Sequence, residues 1–143
     1  MTAETPPARN AYLWFTTIDT RWADQDVYGH VNNAAYYAFM DTAVNRRLIE
    51  HGVLAPGTSP VVGFVVESGC RYFQSLSFPD RVDVGLRVER LGRTSVTYDI
   101  GLFRGDAPRA AARGRFVHVY VDRETRRPVA IPPEVRATLE TLT

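Results

Sequence analysis

The chain of 143 residues contains no lysine, one cysteine and two methionines. The single thiol, Cys70, excludes an internal disulfide and a cysteine-rich zinc site. It lies in a strand-like run, where it reads as a buried, inert thiol rather than a nucleophile. With lysine absent, all 17 basic side chains are arginine, and against 16 acidic ones they leave a formal charge of +1. So small a charge provides no basic field for nucleic acid. No apolar run is long enough to span a membrane. Residues Met1 to Asn10 lack a basic segment leading into an apolar one, so no secretory signal is expected and a cytoplasmic location is the default.

What is present is the material of one ordinary domain: hydrophobic residues make up 45% and charged residues 23%, enough to bury a core. Residues 1–10, with Pro6-Pro7, read as a loose polar tail, and 11–143 as a single domain. Aromatic and β-branched residues from Tyr12 to about Arg21 predict a first strand. From Asn33 to His51, Tyr36, Met40, Val44 and Leu48 recur every fourth residue, with Phe39 and Ala43 widening the stripe, which predicts a helix. Arg47 falls inside that stripe, its stem expected along the core edge. Gly52 suits the helix C-terminus, and His51 beside it suits a capping role.

Val61 to Ser75 predicts a second strand. Its Val61–Val66 part is apolar on both faces and expected to be buried on both, with Gly69 as a possible bulge site. Phe78-Pro79-Asp80 turns the chain. Val82, Val84, Leu86 and Val88 then alternate with charged residues, and Val96, Tyr98, Ile100 and Leu102 alternate with Thr97 and Asp99, so two one-sided strands are expected around a hairpin at Leu91–Thr94. Arg104-Gly105-Asp106 matches a cell-adhesion tripeptide but reads as a plain turn. A last strand is expected over Arg109–Asp122, and Pro132-Pro133 opens a short final helix to about Leu142. One long helix followed by an antiparallel meander gives an α+β fold with the sheet curled round the helix. A second copy of the chain is the economical cover for the sheet face away from the helix.

The densest polar stretch is Asp24-Gln25-Asp26-Val27-Tyr28-Gly29-His30-Val31-Asn32-Asn33-Ala34-Ala35-Tyr36, at the head of that helix. A helix N-terminus presents unpaired N–H groups and the positive end of its dipole, which suits a developing negative charge. A carboxylate there can attack or activate water while amides hold a tetrahedral oxyanion. Asp26 lies nearer the helix than Asp24, which is read as holding the turn. His30 reads equally as a polar site residue or a satisfied turn histidine. His118, among aromatic neighbours on a strand, reads as packed. Asp41 and Glu67 are outside candidates for the acid, each better read as structural. Arg71, Arg90 and Arg93 are either solvated or available to the phosphates of a ligand.

The spacing Asp24-x-Asp26-x-x-Gly29-His30-Val31-Asn32-Asn33-x-x-Tyr36, after a first strand, resembles the hotdog-fold acyl-CoA thioesterases of the 4-hydroxybenzoyl-CoA thioesterase type. The likeness extends more weakly over the five-strand order and central helix. It is nearer the general acyl-CoA branch than the aryl-CoA members, whose motif has a different tail after the glycine. The resemblance implies a hotdog fold and hydrolysis of an acyl-CoA or acyl-carrier-protein thioester. In it Asp26 is the nucleophile or general base, Gly29 lets the backbone pass close to the thioester, His30 makes a polar contact, and amides around Asn32 and Asn33 form the oxyanion site. It also implies a homodimer or homotetramer in which Tyr36, and Gly63 and Phe64 from a facing chain, line the acyl pocket, with neither metal nor cofactor. Alternatives on the same fold are a hydratase or dehydratase on acyl thioesters and a non-catalytic acyl-CoA-binding protein.

Overall fold

The computed structural model describes residues 4–143; Met1 to Ala3 of the expected tail lie outside them. The elements are β1 (Trp14–Asp19), α1 (Asn33–Glu50), β2 (Val61–Tyr72), β3 (Arg81–Leu91), β4 (Ser95–Arg104), β5 (Ala112–Asp122) and α2 (Pro133–Glu140). All strand pairs are antiparallel, in the order β1-β3-β4-β5-β2. Only β3, β4 and β5 form a meander. The chain crosses from β2 on one edge to β3 near the other, which replaces the simple hairpin succession expected after the helix.

α1 starts where Asn32 caps it, its Oδ1 accepting from the Ala34 N–H at 2.9 Å. It ends because Gly52 adopts φ 70°, open to glycine without strain. The Gly52 N–H then reaches the Ile49 carbonyl and the Val53 N–H the Leu48 carbonyl, a Schellman pair. Between these ends the predicted stripe is the buried face: Tyr36, Phe39, Met40, Ala43, Val44 and Leu48. It packs on the inner sheet face of Val82, Val84, Leu86, Tyr98, Ile100, Leu102 and Phe116, each large side chain contributing about 1.5–3 kcal/mol on burial. Gly114 lies beneath Met40, whose Sδ leaves no room for a Cβ there. Arg47 lies at the core edge as expected, its guanidinium 5.3 Å from the Trp14 ring centre and donating to Thr141 Oγ1 at 3.1 Å.

The far face of the sheet differs from expectation. Thr97 and Asp99 are buried rather than exposed, and the chain's own N-terminal segment covers the part of this face around Asp99. Tyr12, 5% exposed, lies across Gly85 and Gly101, where a Cβ would collide with its ring. With Phe15 and Phe103 it forms a small second core, and the Arg9 guanidinium stacks 4.8 Å from the Phe103 ring centre. The Tyr12 hydroxyl donates to Asp99 Oδ1 at 3.0 Å, while Arg87 and Arg113 pair with Asp99 Oδ2 at 2.6 and 2.9 Å. Glu4 pairs with Arg71 and Arg113 at 2.6 and 2.8 Å, and Ala8 bridges to Arg109. Polar side chains face this side because a local aromatic patch and an ion cluster, not a second apolar layer, meet them.

β2 also departs from expectation. Phe64, Val65 and Val66 are 38%, 47% and 61% exposed, because β2 is an edge strand with β5 as its one neighbour in the sheet. Hydrophobicity marks a strand as apolar without saying what lies beside it. The bulge falls at Val66, between Val65 and Glu67, and not at Gly69, which pairs in register with Arg115.

Candidate active site

The loop before α1 is fixed by its own backbone. The Asn32 N–H donates to the Asp24 carbonyl at 2.8 Å, the Asp26 N–H to the His30 carbonyl at 3.0 Å, and the Gly29 N–H back to the Asp26 carbonyl at 3.2 Å. This tight turn requires φ 79° at Gly29, which favours glycine. The Val31 N–H donates to the Leu76 carbonyl at 2.7 Å, and Ser77 Oγ to the Gly29 carbonyl at 3.2 Å, so the segment after β2 buttresses the loop.

Asp24 is buried and receives the Arg21 N–H at 2.7 Å and the Arg21 guanidinium at 2.9 Å. Burial pushes its carboxyl up, but these Arg21 bonds outweigh burial and hold it below the usual value. It is thus fully engaged in the turn, as the sequence reading had it. Asp26 is only half-buried. Its Oδ1 accepts from the Tyr28 N–H at 2.9 Å, and its other oxygen has no hydrogen-bond partner among the described residues.

Asp26, His30, Asn33 and Tyr36 share one open cleft of about 530 Å³. The opposite wall is Tyr72, Phe73, Gln74 and Ser75, which sequence reasoning did not pick out. Tyr72 stands edge-on to Tyr36, ring centres 4.9 Å apart, and Tyr36 Oη accepts from the Leu76 N–H at 3.2 Å. The signal for this wall was weak: it is simply where β2 runs out beside the head of α1.

Asn32 and Asn33 have separate roles. The Asn32 N–H is already bonded to Asp24, and its side chain occupies the Ala34 N–H, so Asn32 positions the turn. Among the described residues the Asn33 N–H has no acceptor, and Asn33 lines the cleft. Within one chain Gly63 and Phe64 do not join this cleft. Gly63 lines a second cleft of about 350 Å³ beside His118 at the other end of α1, and Phe64 meets the Arg126 guanidinium at 5.1 Å. Of the outside candidates, Asp41 holds Asn45 and Glu67 pairs with Arg115 at 2.7 Å. The Cys70 thiol is pushed up to about 11 by burial, which removes it as a nucleophile near neutral pH.

His118 is packed, as expected, against Tyr98 and Phe116. Burial holds its imidazole below the ordinary value, with Asp41 pulling partly the other way. Below about pH 6.5 an unfolded histidine gains a proton that the folded one does not, so stability falls as the pH is lowered through that range. His118→Phe should flatten this slope. Urea midpoints at pH 7.5 and 5.5 test it, and an unchanged slope would assign the loss to other groups.

A five-stranded antiparallel sheet wrapped round one long helix, with an acidic loop at the helix head, is the hotdog fold. The chain belongs to the thioesterase-like superfamily, whose family model matches residues 20–139. Among solved structures it is similar to the PA5185 protein of Pseudomonas aeruginosa strain PAO1, at 54% identity over 96% of each chain with a TM-score of 0.94. It is also similar to PA2801 of Pseudomonas aeruginosa, a provisionally assigned thioesterase, at 27% identity over 90% of this chain and 98% of that one, TM-score 0.83. The gentisyl-coenzyme A thioesterase BH1999 shares the fold at 23% identity, over 88% of this chain and 99% of that one, TM-score 0.76. No curated protein matches the chain in sequence. Among the described residues no helix is long and apolar enough to cross a membrane.

Proposed function

We propose that the protein hydrolyses an acyl thioester of coenzyme A, or of an acyl carrier protein, to the free acid and thiol. The observation that carries this reading is Asp26 and Asn33 lining one cleft: one Asp26 carboxylate oxygen is held by the Tyr28 N–H, and among the described residues neither its other oxygen nor the Asn33 N–H at the helix head has a partner. Asp26 either attacks the thioester carbon, expelling the thiolate and forming a mixed anhydride that water then opens to the acid, or takes the proton of a water that attacks directly. In either case the carbonyl oxygen gains negative charge against the Asn33 amide, the carbon–sulfur bond breaks, and the thiolate takes up the proton released by the water. A preorganised oxyanion donor is worth about 2.7–4 kcal/mol in such a transition state, against about 0.3–1 kcal/mol from an exposed helix dipole, so the amide carries most of the effect. Gly29 and Asn32 position the donor, and His30 and Tyr36 border the reacting group. Membership of the thioesterase-like superfamily supports the reaction class, and the gentisyl-coenzyme A activity of a protein with this fold supports a coenzyme A thioester. A panel of acyl-CoAs scored by thiol release tests the reading; no turnover at any chain length would defeat it.

The same reading takes the working unit as a homodimer, or a homotetramer of such pairs, joined along β2. The support is an edge strand that leaves backbone groups unpaired and exposes Phe64, Val65 and Val66 together. An antiparallel partner then turns its Gly63 and Phe64 toward the Asp26 cleft. Val66→Arg should shift sedimentation toward the single chain and lower activity in parallel. An unaltered assembly in that variant would remove β2 as the joint.

A further inference from the structure

The second cleft has an unusual lining. Leu48, Leu54, Val61 and the Tyr120 ring make it largely apolar, and its polar side chains are Asn45, His118 and the Tyr120 hydroxyl, the last facing Tyr98. Asn45 is engaged, its Nδ2 donating to the Asp41 carbonyl at 2.8 Å. His118 is not: it is 5% exposed, and its Nε2 is shut away with no hydrogen-bond partner among the described residues. A buried N–H without an acceptor is a rarer, costlier state than an unpaired acceptor. The cheaper tautomer therefore carries the proton on Nδ1. That atom faces the space above Gly63, where a Cβ would lie 3.4 Å from it and 3.3 Å from the Tyr120 ring. Glycine at 63 keeps a hydrogen-bond donor open at the floor of an apolar cleft, whose 350 Å³ is at the small end for ligand sites.

We infer that His118 selects the acyl group: its Nδ1–H donates to an oxygen at the end of the acyl chain remote from the thioester, in the cleft over Gly63. This rests on the thioesterase reading and its β2-joined pair. Gly63 and Tyr72 lie nine residues apart on β2, about 30 Å of strand, so one chain's two clefts lie at opposite ends. A twofold axis near the middle of β2 brings the partner's Gly63 opposite Tyr72, and with it the partner's His118 cleft to the mouth of the Asp26 cleft. The substrate class is then a short acyl thioester carrying a distal hydroxyl or keto oxygen, with the rest of the chain apolar.

The test uses acyl-CoAs of equal length with and without a terminal hydroxyl. Each is measured for turnover on the parent and for binding to Asp26→Asn by calorimetry. The parent should favour the hydroxylated member by about 10-fold or more. His118→Phe should erase the preference while still hydrolysing the unsubstituted partner, and Gly63→Val, which closes the cleft without a change of backbone class, should erase it too. Equal handling of both members by the parent, or a preference that survives both substitutions, would overturn the assignment and leave hydrolysis standing. Hydroxyl-dependent binding that His118→Phe abolishes, with no turnover of any thioester, would uphold His118 and defeat the hydrolase reading instead.

Discussion

Asp26→Asn is expected to lower kcat on an acyl-CoA thioester by about 10²–10⁴-fold, the range a positioned acid or base supplies. The amide keeps a carbonyl oxygen that can accept from the Tyr28 N–H at 2.9 Å, so the turn need not rearrange. Stability should stay within about 0.5 kcal/mol of the parent, as for a surface site whose contacts persist. The contrast is the content of the prediction: a large kinetic loss with an unmoved unfolding midpoint. Asp24→Asn should behave in the opposite way. Asp24 is buried and bonded to Arg21, so its loss would register in the midpoint first. If Asp26→Asn retained full turnover, the open carboxylate would be a bystander and the reactive group would lie elsewhere.

The largest stability effect is expected at Asp99. The residue is 4% exposed, and its carboxylate takes bonds from Arg87, Arg113 and Tyr12. Burial pushes the carboxyl up, but the Arg113 and Arg87 bonds outweigh it and hold it below the usual range. Asp99→Ala would leave two half-buried guanidinium groups facing one another with nothing between them. Removing one partner of a buried ion cluster costs about 3–5 kcal/mol; because both arginines are a third exposed, the lower end is expected. Tyr12→Phe removes one hydrogen bond from the same carboxylate and should cost about 1 kcal/mol. The parent's advantage has a definite pH window. With the folded carboxyl depressed, the stabilisation is complete above the unfolded value of about 3.9 and is lost as the pH falls through the lower folded value. Denaturant midpoints at pH 7 and pH 3 would show the gap between parent and Asp99→Ala narrowing; a gap independent of pH would mean the loss is one of packing.

Periodicity made the helix and the one-sided strands legible from sequence. α1 runs Asn33–Glu50, within a residue of the span predicted by Tyr36, Met40, Val44 and Leu48, because its stripe and both caps are local features. The acidic loop was legible for the same reason: Asp24, Asp26, Gly29 and Asn32 are close in sequence and their hydrogen bonds are mutual. What failed was anything set by a distant segment. Asp99 looked like an outward residue because nothing nearby in sequence reveals that Tyr12 and two arginines converge on it. Val61–Val66 looked doubly buried because strand order is not written in a strand's own composition. Tyr72 and Gln74 escaped notice because only the fold brings the end of β2 to the head of α1. His118 was read correctly as packed, yet its unpaired nitrogen and the opening kept by Gly63 emerge only when two strands are laid side by side.

The crossover that carries β2 to the far edge has a consequence for synthesis on the ribosome. Val61 pairs with Asp122 and Tyr72 with Ala112, so β2 has no strand partner until β5 has been made. The 62 residues from Val61 through Asp122 take roughly 3–12 s at the usual pace of translation. Throughout that interval the apolar run Val61–Val66 is without its strand partner, and it becomes an edge only when the sheet is otherwise complete.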